Sequence, residues 1–160
     1  MKNISIAALQ NDIDQLWSRT ELGPADLIVD KPRHDGSPHV EIVNGLFDIA
    51  ITERGTEHKR ISGLSLYEAS RWFLHGMAFS HAHQADLMRR SALKKTSPKN
   101  KNPQKENIGY SRWNWMALTI EYMHRISKEH GKWSYNEYFD VLQRVPLDQS
   151  EIQNTRWPLM

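Results

Sequence analysis

The chain changes character at Ser65, and that change limits its fold more than any other feature. From Leu66 to Leu93 there is no proline, and the only glycine is Gly76. Leu66, Ala69, Phe73, Met77 and Ser80 recur every three to four residues, and Trp72, Phe79 and Leu87 broaden the stripe. That spacing predicts one long helix or two abutting ones. Ser65 with Glu68 three residues on reads as a capping box at its start. Before Ser65 the signals are different. Val40, Ile42 and the run Leu46 to Ile51 flank Asn44-Gly45, a pair that tolerates positive φ and marks a tight hairpin. Glu57 to Ile61, after Gly55, predicts a further strand, and so does the β-branched run Leu27-Ile28-Val29. Lys31 to Pro38, with two prolines and a glycine, predicts a loop.

The two ends complete the outline. Ile4, Ile6, Leu9, Ile13 and Leu16 with Trp17 predict a helix over about 3–18, closed by Gly23-Pro24. Ser111 is placed to cap a helix running to about Glu129 and ended by Gly131. Ser134, with Glu137 three on, predicts another to about Arg144, stopped by Pro146. The expected fold is α+β, one domain over 1–160. It has an N-terminal helix, a small antiparallel sheet of three to four strands, then three helices packed on it. A length of 160 residues suits one core.

Composition removes several classes of function. There is no cysteine, which excludes disulfides, thiolate metal sites and a Cys nucleophile. No apolar run has the length of a signal peptide or a membrane span, so the expected address is the cytoplasm, with no membrane partner. Net charge is +2, but Arg89 to Lys105 holds seven basic residues and no acid. The rest of the chain is therefore acidic, with 19 Asp and Glu against the remaining basic residues. Residues 94–109 hold one aliphatic residue, Ile108, and are expected to form a mobile basic loop. Its basic run is either a solvated loop or a contact for an acidic partner or nucleic acid. It lacks the aromatic residues that single strands stack on, so nucleic acid is not the expected partner.

Motifs for chemistry are sparse. His75, His81 and His83 lie near Asp86, but on a helix His81 and His83 point about 200° apart and cannot share a metal. His83 and Asp86 share a face, and two ligands make a weak site. There is no HExxH, no GxSxG and no Gly-rich phosphate loop. No catalytic residue, metal or cofactor is expected. Glu53-Arg54-Gly55 closes a strand, as a plain turn or as an ion pair docking that turn through Arg60 or Arg71. Of six tryptophans, Trp72 and Trp115 fit core faces. Trp157, in the proline-bearing tail, is either an exposed anchor or a pin for the tail.

Taken in order, Phe47 to Gly55 ending in Glu53-Arg54-Gly55, Leu66, Trp72-Phe73-Leu74, Ala82, Arg89-Arg90, Ser111-Arg112-Trp113, Trp133 and Val145-Pro146 form a pattern. It resembles the bacterial immunity proteins of polymorphic toxin systems, in particular the immunity protein 63 family, over roughly residues 46–146. The Glu-Arg-Gly strand end is its sharpest piece. The basic segment 94–107 departs from the short acidic or polar connector usual there. The resemblance implies a non-enzymatic antidote that binds the toxic C-terminal domain of a cognate effector, often a nuclease, in the cytoplasm. It implies structural places for Glu53, Arg54, Gly55, Trp72 and Arg112. A nuclease presents a basic face, so acidic complementarity would serve its inhibitor. Asp12, Asp14, Asp26, Asp30 and Asp35 are the candidate toxin-facing carboxylates, with Trp157 as a candidate anchor.

Overall fold

Ser5 starts the first helix: its extended backbone turns inward and its hydroxyl accepts from Ala8 N–H at 3.1 Å. Helix α1 runs Ile6–Trp17 and buries Leu9, Ile13 and Trp17 on one stripe. A 3-10 turn, Ser18–Thr20, ends it. The computed structural model describes residues 3–96 and 108–157. Most of the expected basic loop 94–109 therefore lies outside the described residues.

Three antiparallel strands follow in the order β1 (Asp35–Val43), β2 (Leu46–Glu53) and β3 (Thr56–Leu64). Asn44 (φ 51°) and Gly45 (φ 75°) form the first turn, with Val43 opposite Leu46. Arg54 (φ 50°) and Gly55 (φ 80°) form the second in the same way, with Glu53 opposite Thr56. Two positive φ values in sequence match the right-handed twist of the strands they join. β2 lies between two partners and is buried on both faces, whereas β3 is largely exposed.

Helix α2, Leu66–Thr96, is one continuous element. Its start carries the capping box: Ser65 N–H donates to Glu68 Oε2 at 2.9 Å, and Glu68 N–H to Ser65 Oγ at 3.2 Å. Helices α3 (Arg112–Ile126), α4 (Lys128–Arg144) and α5 (Gln149–Asn154) complete the α+β fold. The chain divides into two compact units, Met1–Met77 and Ala78–Met160. In the second, Trp113, Met116, Ile120 and Tyr138 form a buried cluster, with Leu142 and Leu147 against it. No helix among the described residues is long and apolar enough to cross a membrane.

Four local expectations need correction. Leu27-Ile28-Val29 forms no strand, because Gln10 of α1 takes the Ile28 N–H and only Val29 O reaches β1. The loop predicted over 31–38 yields to β1 at Asp35. The break expected at Gly131 falls at Ser127 instead. Ser127 caps α4 through His130 N–H, leaving Gly131 and Ser134 buried inside that helix. Gly131 is needed there, since a Cβ would stand 2.7 Å from the His124 ring. Helix α5 had no counterpart in the reading of the sequence.

Ser111 begins α3, but its hydroxyl bonds Thr155 Oγ1 instead of the helix. The cap is Glu151, whose Oε1 accepts from Arg112 N–H at 3.2 Å. The same carboxylate takes Arg112 Nε at 2.7 Å and Nη2 at 3.0 Å, and Asp148 N–H at 3.0 Å. Arg112 also donates to the carbonyls of Val145 and Pro146. Only 6% of Glu151 is exposed, and these donors, Arg112 first, hold its pKa down at about 2.

Two predictions follow from these contacts. Glu151→Ala strands a half-buried guanidinium and should cost roughly 3 kcal/mol in chemical unfolding followed by tryptophan fluorescence. Because the folded carboxyl lies below its ordinary value of 4.5, its contribution is complete above that pH and is lost as pH falls toward about 2. That part of the acid dependence should vanish in Glu151→Gln. Separately, Arg54 sits in a left-handed conformation that favours Asn or Gly, so Arg54→Asn should stabilise by about 0.5–1 kcal/mol.

Candidate functional site

Residues 21–34 have no regular structure, yet they are fastened along their length. Gln10, on α1, is the main clamp. Its Oε1 accepts from Ile28 N–H at 2.6 Å, and its Nε2 donates to Asp26 O at 3.1 Å and Asp14 Oδ1 at 2.9 Å. Asp26 N–H meets Met77 Sδ at 3.2 Å, Val29 O accepts from Val40 N–H, and His34 O from Arg54 N–H. Long irregular segments that are held in place are more often functional than incidental.

The clamp leaves Leu27 outside, 74% exposed. Beside it opens a groove of about 380 Å³ lined by Gln10, Asp14, Trp17, Pro24 and Leu27. The groove thus joins an exposed apolar side chain on a fixed backbone to one carboxylate, that of Asp14. Across residues 6–35 there are six carboxylates (Asp12, Asp14, Glu21, Asp26, Asp30 and Asp35) against Arg19, Lys31 and Arg33. Gln10 Nε2 bonds both the Asp14 carboxylate and the Asp26 backbone carbonyl, which makes these two residues neighbours. Asp12 is half-buried on α1, and Asp30 is exposed further along the segment. Asp35 turns back on Ser37, whose N–H and hydroxyl hold its pKa below the usual range.

A second group of acids lies on the sheet of the same unit. Arg60 on β3 pairs with Glu57 through Nε at 2.8 Å and Nη2 at 2.9 Å. Its Nη1 reaches Glu41 on β1 at 2.8 Å and Asp48 on β2 at 3.2 Å. Asp48 also accepts from Gly63 N–H and Ser62 Oγ. The buried His39 ring meets Glu41 at 3.1 Å. Hydrogen bonds to Arg60 hold Glu41 and Glu57 low, and the Gly63 N–H leads in doing so for Asp48. Three carboxylates around one guanidinium leave an excess of negative charge. Glu41, Asp48 and Glu57 were legible as acids, but only the strand register places them together.

The remaining candidates have other surroundings. Glu53, Arg54 and Gly55 are an exposed hairpin turn, and Arg60 is committed to the sheet face. Trp72 is half-buried edge-on to Phe73, and Trp115 is half-buried too, while Trp17 and Trp113 are the buried indoles. Arg112 is the structural tie to Glu151. His83 lies between Phe79 and Trp115, with ring centroids 4.2 and 4.3 Å away, and burial lowers its pKa. Asp86 does not serve His83 as a co-ligand; it takes Arg89 at 2.9 Å and Arg90 at 2.8 Å. No three His, Asp or Glu side chains converge as metal ligands among the described residues.

Trp157 belongs to the second unit, in surroundings of opposite charge. It lines a cleft of about 200 Å³ with Asp86, Arg89, Asn114, Leu118 and Arg156. The buried Asn114 fixes that cleft: Nδ2 donates to Asn154 O and Oδ1 accepts from Arg156 N–H, at 2.9 and 2.8 Å. Neither Gln10 nor Asn114 carries a motif, so both were missed in the sequence. No family model, curated protein or solved structure matches the chain.

The clamp is open to direct measurement. Gln10→Ala should abolish hydrogen-exchange protection at Ile28 N–H and lower stability by about 1–2 kcal/mol, while the α2 amides keep their protection.

Proposed function

We infer that the chain is an immunity protein, an antidote that binds a cognate bacterial toxin domain in the cytoplasm and blocks its active or substrate-binding surface. It acts by binding and not by catalysis. The observation that carries this reading is the clamped segment 21–34, which holds Leu27 exposed beside an open groove, with Asp14 and Asp26 brought together by Gln10. Such a surface is preorganised, so a partner does not have to order it on binding. Its negative charge favours a partner with a basic face, such as a nuclease, and would speed the encounter. The sequence resemblance to the immunity protein 63 family points in the same direction.

The test is growth of cells expressing the toxin domain encoded next to this gene, with and without the protein, followed by co-purification. Rescue with a stable complex is the expected result. In that complex Leu27→Ala should weaken binding about tenfold by slowing nothing but speeding dissociation. Asp14→Lys with Asp26→Lys should lower the association rate about tenfold, most strongly at low salt. Absence of both rescue and complex would end the immunity reading. A complex indifferent to all three substitutions would remove this face from it.

A further inference from the structure

The cleft around Trp157 differs from the acidic groove in both charge and lining. Its walls are apolar: the half-exposed Trp157 indole (45% exposed), Ala85 and Leu118. Its rim is cationic. Arg89 spends Nη2 on Asp86 Oδ1 and on Gly109 O at 2.7 Å. Among the described residues its Nε and Nη1 have no partner, nor does the Arg156 guanidinium. Asp86 is buried and shared by Arg89 and Arg90, and of the cations nearby Arg89 and Arg156 line the cleft. Arg90 in turn lies over the Tyr110 ring, 5.0 Å from its centroid. Lys94 and Lys95 continue the positive charge along the last turn of α2, exposed to solvent.

A bare phosphate would suit the rim but waste the indole wall, and an apolar ligand would waste the rim. A nucleotide offers a flat base and an anion together, and a strand adds a second phosphate beside the first. We propose that this cleft binds single-stranded nucleic acid, with one base against Trp157 and the adjoining phosphates on Arg156 and Arg89. Base stacking on an aromatic face combined with a basic groove is the general physics of single-strand binding. The basic run Arg89 to Lys105 has no aromatic residue of its own. At Arg89 the fold supplies one, since Arg89 and Trp157 line the same cleft. This site is independent of the antidote reading and does not use the acidic groove.

The experiment is fluorescence anisotropy of the full chain with labelled oligouridine and oligothymidine of about 12 nucleotides, from about 50 to 300 mM salt. An abasic strand of the same length and polyglutamate serve as comparisons. Either base-bearing strand should bind, with log K falling against log salt at a slope of about −2. Trp157→Ala should weaken binding at least tenfold, and Trp157→Phe should stay within about threefold of the parent. Arg156→Ala should reduce the salt slope by about one. Asp14→Lys, in the other unit, should not weaken binding. Circular dichroism would confirm that each variant folds. Failure of both strands to bind at low salt would overturn the proposal. So would equal affinity for the abasic strand, equal competition by polyglutamate, or full affinity in Trp157→Ala.

Discussion

Four hydrogen bonds converge on the carboxylate of Glu151, and the helices of the second unit are tied to one another through it. A carboxylate this buried is unfavourable unless its oxygens are occupied. Here they are shared between the Arg112 guanidinium and two backbone N–H groups, those of Arg112 and Asp148. One side chain thereby begins α3, completes the capping box of α5, and holds the Arg112 that reaches the carbonyls after α4. Asn114, one turn into α3, repeats the device with Asn154 and Arg156. The cleft beside Trp157 depends on both, because Arg156 is fixed by its backbone and only its side chain remains available.

The first unit uses a different economy. Its sheet is narrow, and its polar face is stitched by Arg60 across all three strands. Its irregular segment is held chiefly by one glutamine, which bonds Ile28 N–H and Asp26 O. In both places polar groups do what a larger apolar core would otherwise do, and the result is a surface with a fixed shape and an excess of carboxylates. The second unit offers guanidinium groups around an indole. The two surfaces differ in sign and in lining, so the charge each favours in a partner differs too.

What could be read from the residues follows the range of the interactions. The Asn44-Gly45 turn, the Ser65–Glu68 box and the long helix are each decided within a few residues, and the structure has all three. The strand read at Leu27 failed because its β-branched run was a local signal, whereas its N–H partner is a side chain eighteen positions away. The helix boundary at Ser127 was hidden by Gly131, a glycine required for contact with His124 and not for a turn. The individual aspartates were visible. Gln10, which groups two of them, was not, because a glutamine on a helix has no signature until its partners are known. Ser111 marked the right residue for the wrong reason, since the cap comes from a carboxylate forty positions on.

The Glu151 contacts also bear on the order of events during synthesis. In the first unit the strands adjoin in sequence and the turns between them are tight, so the sheet can pair as soon as β3 emerges, while the Asp26 N–H waits for Met77. The second unit cannot close in that way. The amide that opens α3 waits for residue 151, and Asn114 waits for residues 154 and 156. Domains that fold during translation do so as their parts are released. This chain would carry a paired sheet on the ribosome while its helical half, with the indole-walled cleft, remains open until residues 151 to 156 have been made.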